Sequence, residues 1–160
     1  MPVQTTYQKY MGEALDGMKA DMEAYNTVSK LNKGDAIIPF GRAVFTDGDD
    51  GMKLPVTGST AAQFIGITMR ELTRAYTDAQ IASGYGAVPK YDSTVMTTGV
   101  IWVSPAVAVA KDDPVYVLIA DGRLTNVAGS EGTTVLIPNA KFVSTAASGA
   151  RAKVSLVIGG

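Results

Sequence analysis

The residues of this chain best suited to chemistry are aspartates, gathered in T-D-G-D-D-G-M-K-L-P (46–55) and K-D-D-P (111–114). The first resembles a calcium loop. An EF-hand loop needs oxygen ligands at positions 1, 3 and 5, glycine at 6 and glutamate at 12. Counting from Asp47, Asp49 fits position 3, but Gly51, Met52 and Gly58 occupy positions 5, 6 and 12. Counting from Asp49 places Gly51 and Lys53 where ligands belong. A polar turn is therefore expected, since Asp and Gly tolerate the backbone angles that reverse a chain. Asp112-Asp113 reads as a turn with Pro114 at a strand entrance. S-G-Y-G-A-V-P (83–89) carries Pro89 where a dinucleotide fingerprint needs its third glycine. There is no P-loop, no G-x-S-x-G and no zinc spacing.

The chain also has no histidine and no cysteine. This removes the commonest general base, the Ser-His-Asp and Cys-His arrangements, thiolate chemistry and most zinc sites. No catalytic residue, metal or cofactor is expected. A distant pair of carboxylates on a β scaffold, as in a minor hydrolase, stays open because sequence separation does not give spatial separation. Fourteen basic and 15 acidic side chains leave a net charge of −1 across 160 residues. Neither sign forms a run, so neither nucleic acid nor a membrane is an expected partner. The first ten residues lack the apolar stretch of a signal peptide, and no apolar run approaches the ~20 residues that span a bilayer. A soluble product made in the cytoplasm is expected.

The elements that would position any site divide near residue 35. After it, short β-branched runs alternate with Gly, Pro and Asp: 36–45, 62–69, 93–99, 100–104, 114–120, 123–127, 133–137, 141–145 and 152–158. Such spacing predicts an all-β sandwich or barrel over 36–160. Asp121-Gly122 suits a two-residue type I′ hairpin turn. In P-V-Y-V-L-I-A, Val115, Val117 and Ile119 point one way while Tyr116 and Leu118 point the other, so both faces are expected to be covered. Leu156 faces inward on the last strand, and Trp102 is expected in the core among Val100, Ile101 and Val103. Residues 1–35 form an N-terminal arm, extended or with a short amphipathic helix. Met11, Leu15, Met18, Met22 and Tyr25 recur every three or four residues. With Tyr7 and Tyr10 they make a flexible apolar set suited to contacting a neighbour. Removing residues 1–25 is expected to leave the β domain folded; the alternative is that the apolar stripe packs on the chain's own β core.

Read in order, A-I-I-P-F-G-R-A-V-F, G-M-K-L-P and F-I-G-I-T-M-R-E-L-T-R resemble the first half of the structural cement proteins of tailed bacteriophages. G-V-I-W-V-S-P-A-V-A-V-A-K-D-D-P-V-Y-V, D-G-R-L-T-N and I-P-N-A-K-F-V-S-T-A-A-S-G-A-R-A-K-V-S-L resemble the second. The similarity covers most of 36–158. Asp112 replaces the glycine usual at that turn. The resemblance implies a jelly-roll-like β fold, no catalysis, and a place on the outer surface of the capsid, bound to the major capsid protein. It also implies a homo-oligomer, with a dimer favoured. A carbohydrate- or receptor-binding β-sandwich is the alternative, since Tyr76, Tyr85 and Tyr91 cluster around one polar loop.

Overall fold

One long strand organises the molecule. In the computed structural model, which describes residues 14–71, 75–82 and 85–157 without the side chains of 80 and 81, it runs unbroken from Asp92 to Val103. The chain order is β1 (Asn26–Asn32), β2 (Ile38–Pro39), β3 (Ala43–Asp47), β4 (Gly51–Lys53), β5 (Phe64–Thr68), a helical turn α1 (Asp78–Ala82), β6 (Gly86–Ala87), β7 (Asp92–Val103), β8 (Pro114–Leu118), β9 (Leu124–Thr125), β10 (Thr134–Phe142) and β11 (Ala152–Val157). The fold is all-β.

The first half of β7 closes a ring. β1 pairs with β4, β4 with β3, β3 with β5, β5 with β7, and β7 again with β1. Only the β1–β4 pair is parallel. The second half of β7 continues into a sheet ordered β7-β11-β10-β8-β9. A ring with no free edge protects its backbone hydrogen bonds from stray pairing. β2 and β6 form a separate two-stranded ribbon.

Alternation along the strands builds two cores. Val44 and Val95 turn into the ring with Ile38, Met52, Ile65 and Ala87. Their neighbours Ala43, Phe45 and Met96 turn outward, where they meet Ile101, Val117, Phe142, Val154 and Leu156 beneath the second sheet. A strand buried on both sides therefore reads as continuously apolar. Asn32 is a polar residue of this interior, and it is satisfied. Its Nδ2 donates to the carbonyls of Ala36 and Ala87 at 2.9 Å each, while Oδ1 accepts from Gly34 N at 3.0 Å.

Several boundaries differ from the sequence reading. The runs 93–99 and 100–104 fall in one strand, which ends at Val103, and 133–137 continues through Lys141 to Phe142 as β10, whose register shifts between Leu136 and Lys141, leaving 143–145 outside it. The run 36–45 is broken into β2 and β3. The arm does not end at residue 35, because β1 is a wall of the ring. At the predicted hairpin only Gly122 takes positive φ, at 72°, so the turn is not type I′. Instead Gly122 N donates to Leu118 O at 2.9 Å, and Asp121 Oδ1 accepts from Arg123 N at 3.0 Å.

Trp102 is also placed differently. Ile101 and Val103 point into the core, so the pleat sends the intervening side chain to the opposite face. There it is half-buried, with the ammonium of its cross-strand partner Lys153 5.3 Å from the ring centre. Val115, Val117 and Leu156 lie in the larger core, whereas Ile119 is half-buried beyond the end of β8.

Candidate functional site: an exposed apolar strap on β7

The most distinctive surface is the segment 14–25. No helix forms there. The chain lies antiparallel along the second half of β7, with Lys19 bridging Ile101. Gly17 N donates to Trp102 O at 2.8 Å, Trp102 N to Met18 O at 2.9 Å, and Ala20 N to Val100 O at 2.8 Å. Arg70 N donates to Gly17 O at 2.7 Å, which ties the strap to the end of β5 as well. Gly17 has φ +80°, and a Cβ there would lie 2.9 Å from Arg70 N, Phe40 Cβ and Thr68 O. Only glycine fits this seat. Residues 14–25 are thus not a free arm: the main chain of 17–20 hydrogen-bonds along an edge of β7.

Charged side chains reinforce the seat. Asp16 Oδ1 accepts from Ser104 Oγ at 2.8 Å and Arg151 Nε at 3.2 Å. Burial lowers the affinity of the Arg42 guanidinium for its proton, and Arg123 acts in the same direction, while Asp121 and Asp16 oppose them. Asp21 pairs with Lys153 at 3.0 Å. The Lys19 ammonium sits 4.2 Å from the centre of the Tyr25 ring. The sequence reading passed over Asp16, Gly17, Arg151 and Lys153. The D-G dipeptide at 16–17 was the available signal, since it marks a turn inside what looked like a helical pattern.

With its backbone committed to β7, the strap turns its apolar side chains outward. Leu15, Met18, Met22 and Tyr25 are all exposed, Met22 to 93%. Tyr7, Tyr10 and Met11 lie outside the described residues.

The other candidates form less. In the 46–55 loop, Lys30 Nζ donates to Asp49 O at 2.6 Å, Lys33 Nζ donates to Asp47 O at 3.0 Å, and Lys53 pairs with the Asp47 carboxylate at 3.4 Å. Cations thus stand where calcium ligands would be needed. Among the described residues no three acidic side chains converge on a metal-sized site. Asp112 adopts φ +72° at the turn before β8 and pairs with Lys141. Asp113 Oδ2 accepts from Ala110 N at 2.8 Å and from Asn126 Nδ2 at 2.5 Å. These two bonds, the backbone one first, hold its carboxyl below the usual range. Tyr76 and Tyr85 meet edge to face at 5.2 Å, and Arg70 lies 5.3 Å over the Tyr85 ring. Tyr91 lines a cleft of about 530 Å³ beside Ile37 and Val88.

The family model for structural cement protein (E217 gp24/Pam3 gp6) matches residues 3–157. The chain belongs to the structural cement protein family. It is a structural protein of a phage virion, and the family is one of virion components. A solved structure from the capsid of Myoviridae phage XM1 superposes with a TM-score of 0.72 at 20% identity, covering 99% of each chain. At that identity the likeness establishes a shared fold. The head fiber gp8.5 N base of bacteriophage phi29 covers 84% of this chain and 95% of its own, at 14% identity. Its TM-score of 0.38 is too low to bear on the fold. Among curated proteins no relative matches.

Proposed function

We propose that this cement protein binds the outer surface of the assembled phage head, contacts the major capsid protein and locks neighbouring capsomers, acting as a dimer without catalysis. The observation that carries the reading is the strap. Its main chain is spent on β7, Asp16 and Asp21 pin it to β11 and the end of β7, and Leu15, Met18, Met22 and Tyr25 are left facing outward. Apolar groups held rigidly at a surface lose little conformational entropy when a neighbour covers them. That neighbour is an adjacent capsid or cement subunit. A ligand that binds the assembled shell and not its free subunits stabilises assembly by mass action. Many copies on one lattice do so jointly even when each contact is weak.

Heads stripped of this protein test the reading by co-sedimentation. The protein should pellet with heads, leave free capsid subunits unbound and raise the temperature at which heads lose their DNA. Equal binding to free subunits, or none to heads, would sink the proposal.

A further inference from the structure

Arg70 is a cation that the fold leaves without a partner. It lies two residues beyond β5, and its main-chain N–H is committed to Gly17 O at 2.7 Å. The guanidinium carbon sits 5.7 Å from the centre of the Phe40 ring and 5.3 Å from that of Tyr85. Nε is buried and makes no hydrogen bond. Among the described residues no carboxylate pairs with this guanidinium. The acidic side chains beside it are directed elsewhere. Asp16, next to Gly17, accepts from Ser104 and Arg151, and Glu71 Oε1 accepts from Thr94 N at 2.9 Å.

This arrangement works against the free protein. A donor shut away from water without a partner gives up its hydration and gains no hydrogen bond in exchange. The aromatic rings engage only the face of the guanidinium, so the N–H groups at its edge stay unused. The residue is half-buried as a whole, and the end of the fork is accessible where Nε is not. Tyr85 is itself braced, edge to face against Tyr76 at 5.2 Å, and the Tyr76 hydroxyl donates to Gly86 O at 3.3 Å. The fork is therefore oriented before any ligand arrives, which lowers the entropy lost on binding.

Its neighbours indicate what that ligand belongs to. Arg70 is bonded to the turn of the strap, and the exposed Leu15 and Met18 stand on either side of Asp16-Gly17. An arginine beside exposed apolar side chains has the composition of a protein-contact hot spot. Nucleic acid or an anionic membrane surface would call for a run of basic residues, and the sequence has none. A single carboxylate matches the planar fork through two parallel N–H···O bonds.

We propose that Arg70 is a carboxylate-recognition site, which receives an Asp or Glu side chain of the capsid subunit that covers the strap. The idea rests on reading 14–25 as a contact surface, and it names the charged group that the covering surface must bring.

Arg70→Met supplies the test, because methionine keeps an unbranched stem beside the rings and removes every side-chain N–H. In the isolated full-length protein this variant should melt at the wild-type temperature or above it, since the unpaired buried donor leaves with the charge. On stripped heads it should bind about 30-fold more weakly in co-sedimentation, the loss expected of a central arginine. Arg70→Lys keeps the charge without the fork and should lose most of the same affinity. Added salt should weaken the wild type more than Arg70→Met, because only the wild type forms the ion pair. An Arg70→Met protein that melts well below the wild type overturns the inference, for the guanidinium then serves the fold. Wild-type binding by Arg70→Met or by Arg70→Lys also overturns it, and leaves the head-binding reading intact. A wild type that does not bind heads overturns both.

Discussion

Replacing Gly17 by alanine tests whether the strap is seated as described. Two costs arise. The first is conformational: at φ +80° an L side chain crowds the following carbonyl, which costs roughly 1–2 kcal/mol. The second is packing. The new Cβ would lie 2.9 Å from Arg70 N, Thr68 O and Phe40 Cβ, and the first two are main-chain atoms that cannot rotate away. Relief requires the strap to lift, which sacrifices the bonds from Gly17 N to Trp102 O and from Arg70 N to Gly17 O. At about 0.5–1.5 kcal/mol net each, these add roughly 1–3 kcal/mol. Gly58 isolates the first cost, because it has φ +90° with nothing within 4 Å of its Cβ position. Gly17→Ala should therefore be about 2 kcal/mol less stable than Gly58→Ala, a gap of roughly 4–8 °C in thermal melting for a domain of this size. Hydrogen exchange adds a local readout: the Ala20 and Trp102 amides should lose protection while the Val154 amide keeps it. If the two variants melt together, Gly17 is not clamped between β5 and β7, and the fixed presentation of Met18 and Met22 goes with it.

Phe142 has no exposed surface, so Phe142→Ala should cost about 3–5 kcal/mol in chemical denaturation. Trp102→Ala should cost clearly less and remain folded, because the ring lies on the outer face under Lys153; a molten Trp102→Ala variant would return that ring to the core. Millimolar calcium should leave the melting temperature unchanged, and replacing Asp47, Asp49 and Asp50 together by asparagine should change stability by no more than about 0.5 kcal/mol per site. A calcium-dependent rise reversed by chelator would contradict this. Asp113 has a depressed folded-state pKa, so its contribution is complete above the unfolded carboxyl value of about 4 and is lost as pH falls through the lower folded value. The stability gap between wild type and Asp113→Asn, measured by urea titration, should therefore narrow from pH 7 toward pH 3; a constant gap would place the effect elsewhere.

Local pattern carried much of this protein. Alternation in P-V-Y-V-L and A-K-V-S-L-V placed Val115, Val117 and Leu156 on inward faces, because a pleat assigns successive side chains to opposite sides whatever the partner strand is. The clustering of Asp and Gly at 46–51 and 121–122 marked chain reversals for the same local reason. The ordered motifs from A-I-I-P-F-G to A-K-V-S-L were enough to suggest the family. The Trp102 side was in principle available from that alternation, but its apolar neighbours outweighed the parity.

Residues 14–25 were not legible. Their three- and four-residue spacing of Met, Leu and Tyr imitates a helix, yet the unpaired edge of β7 offers main-chain partners that no local helix could match, and Asp16-Gly17 fits the turn that reaches them. The ring closure through β1 depends on how Asn26–Leu31 registers against Asp92–Thr98. Register belongs to a pair of strands and to neither strand alone. By itself the sequence therefore determined the β class, the faces of individual strands and the places where the chain turns. Which strands meet, and which apolar side chains are left uncovered once they have met, was decided only in three dimensions.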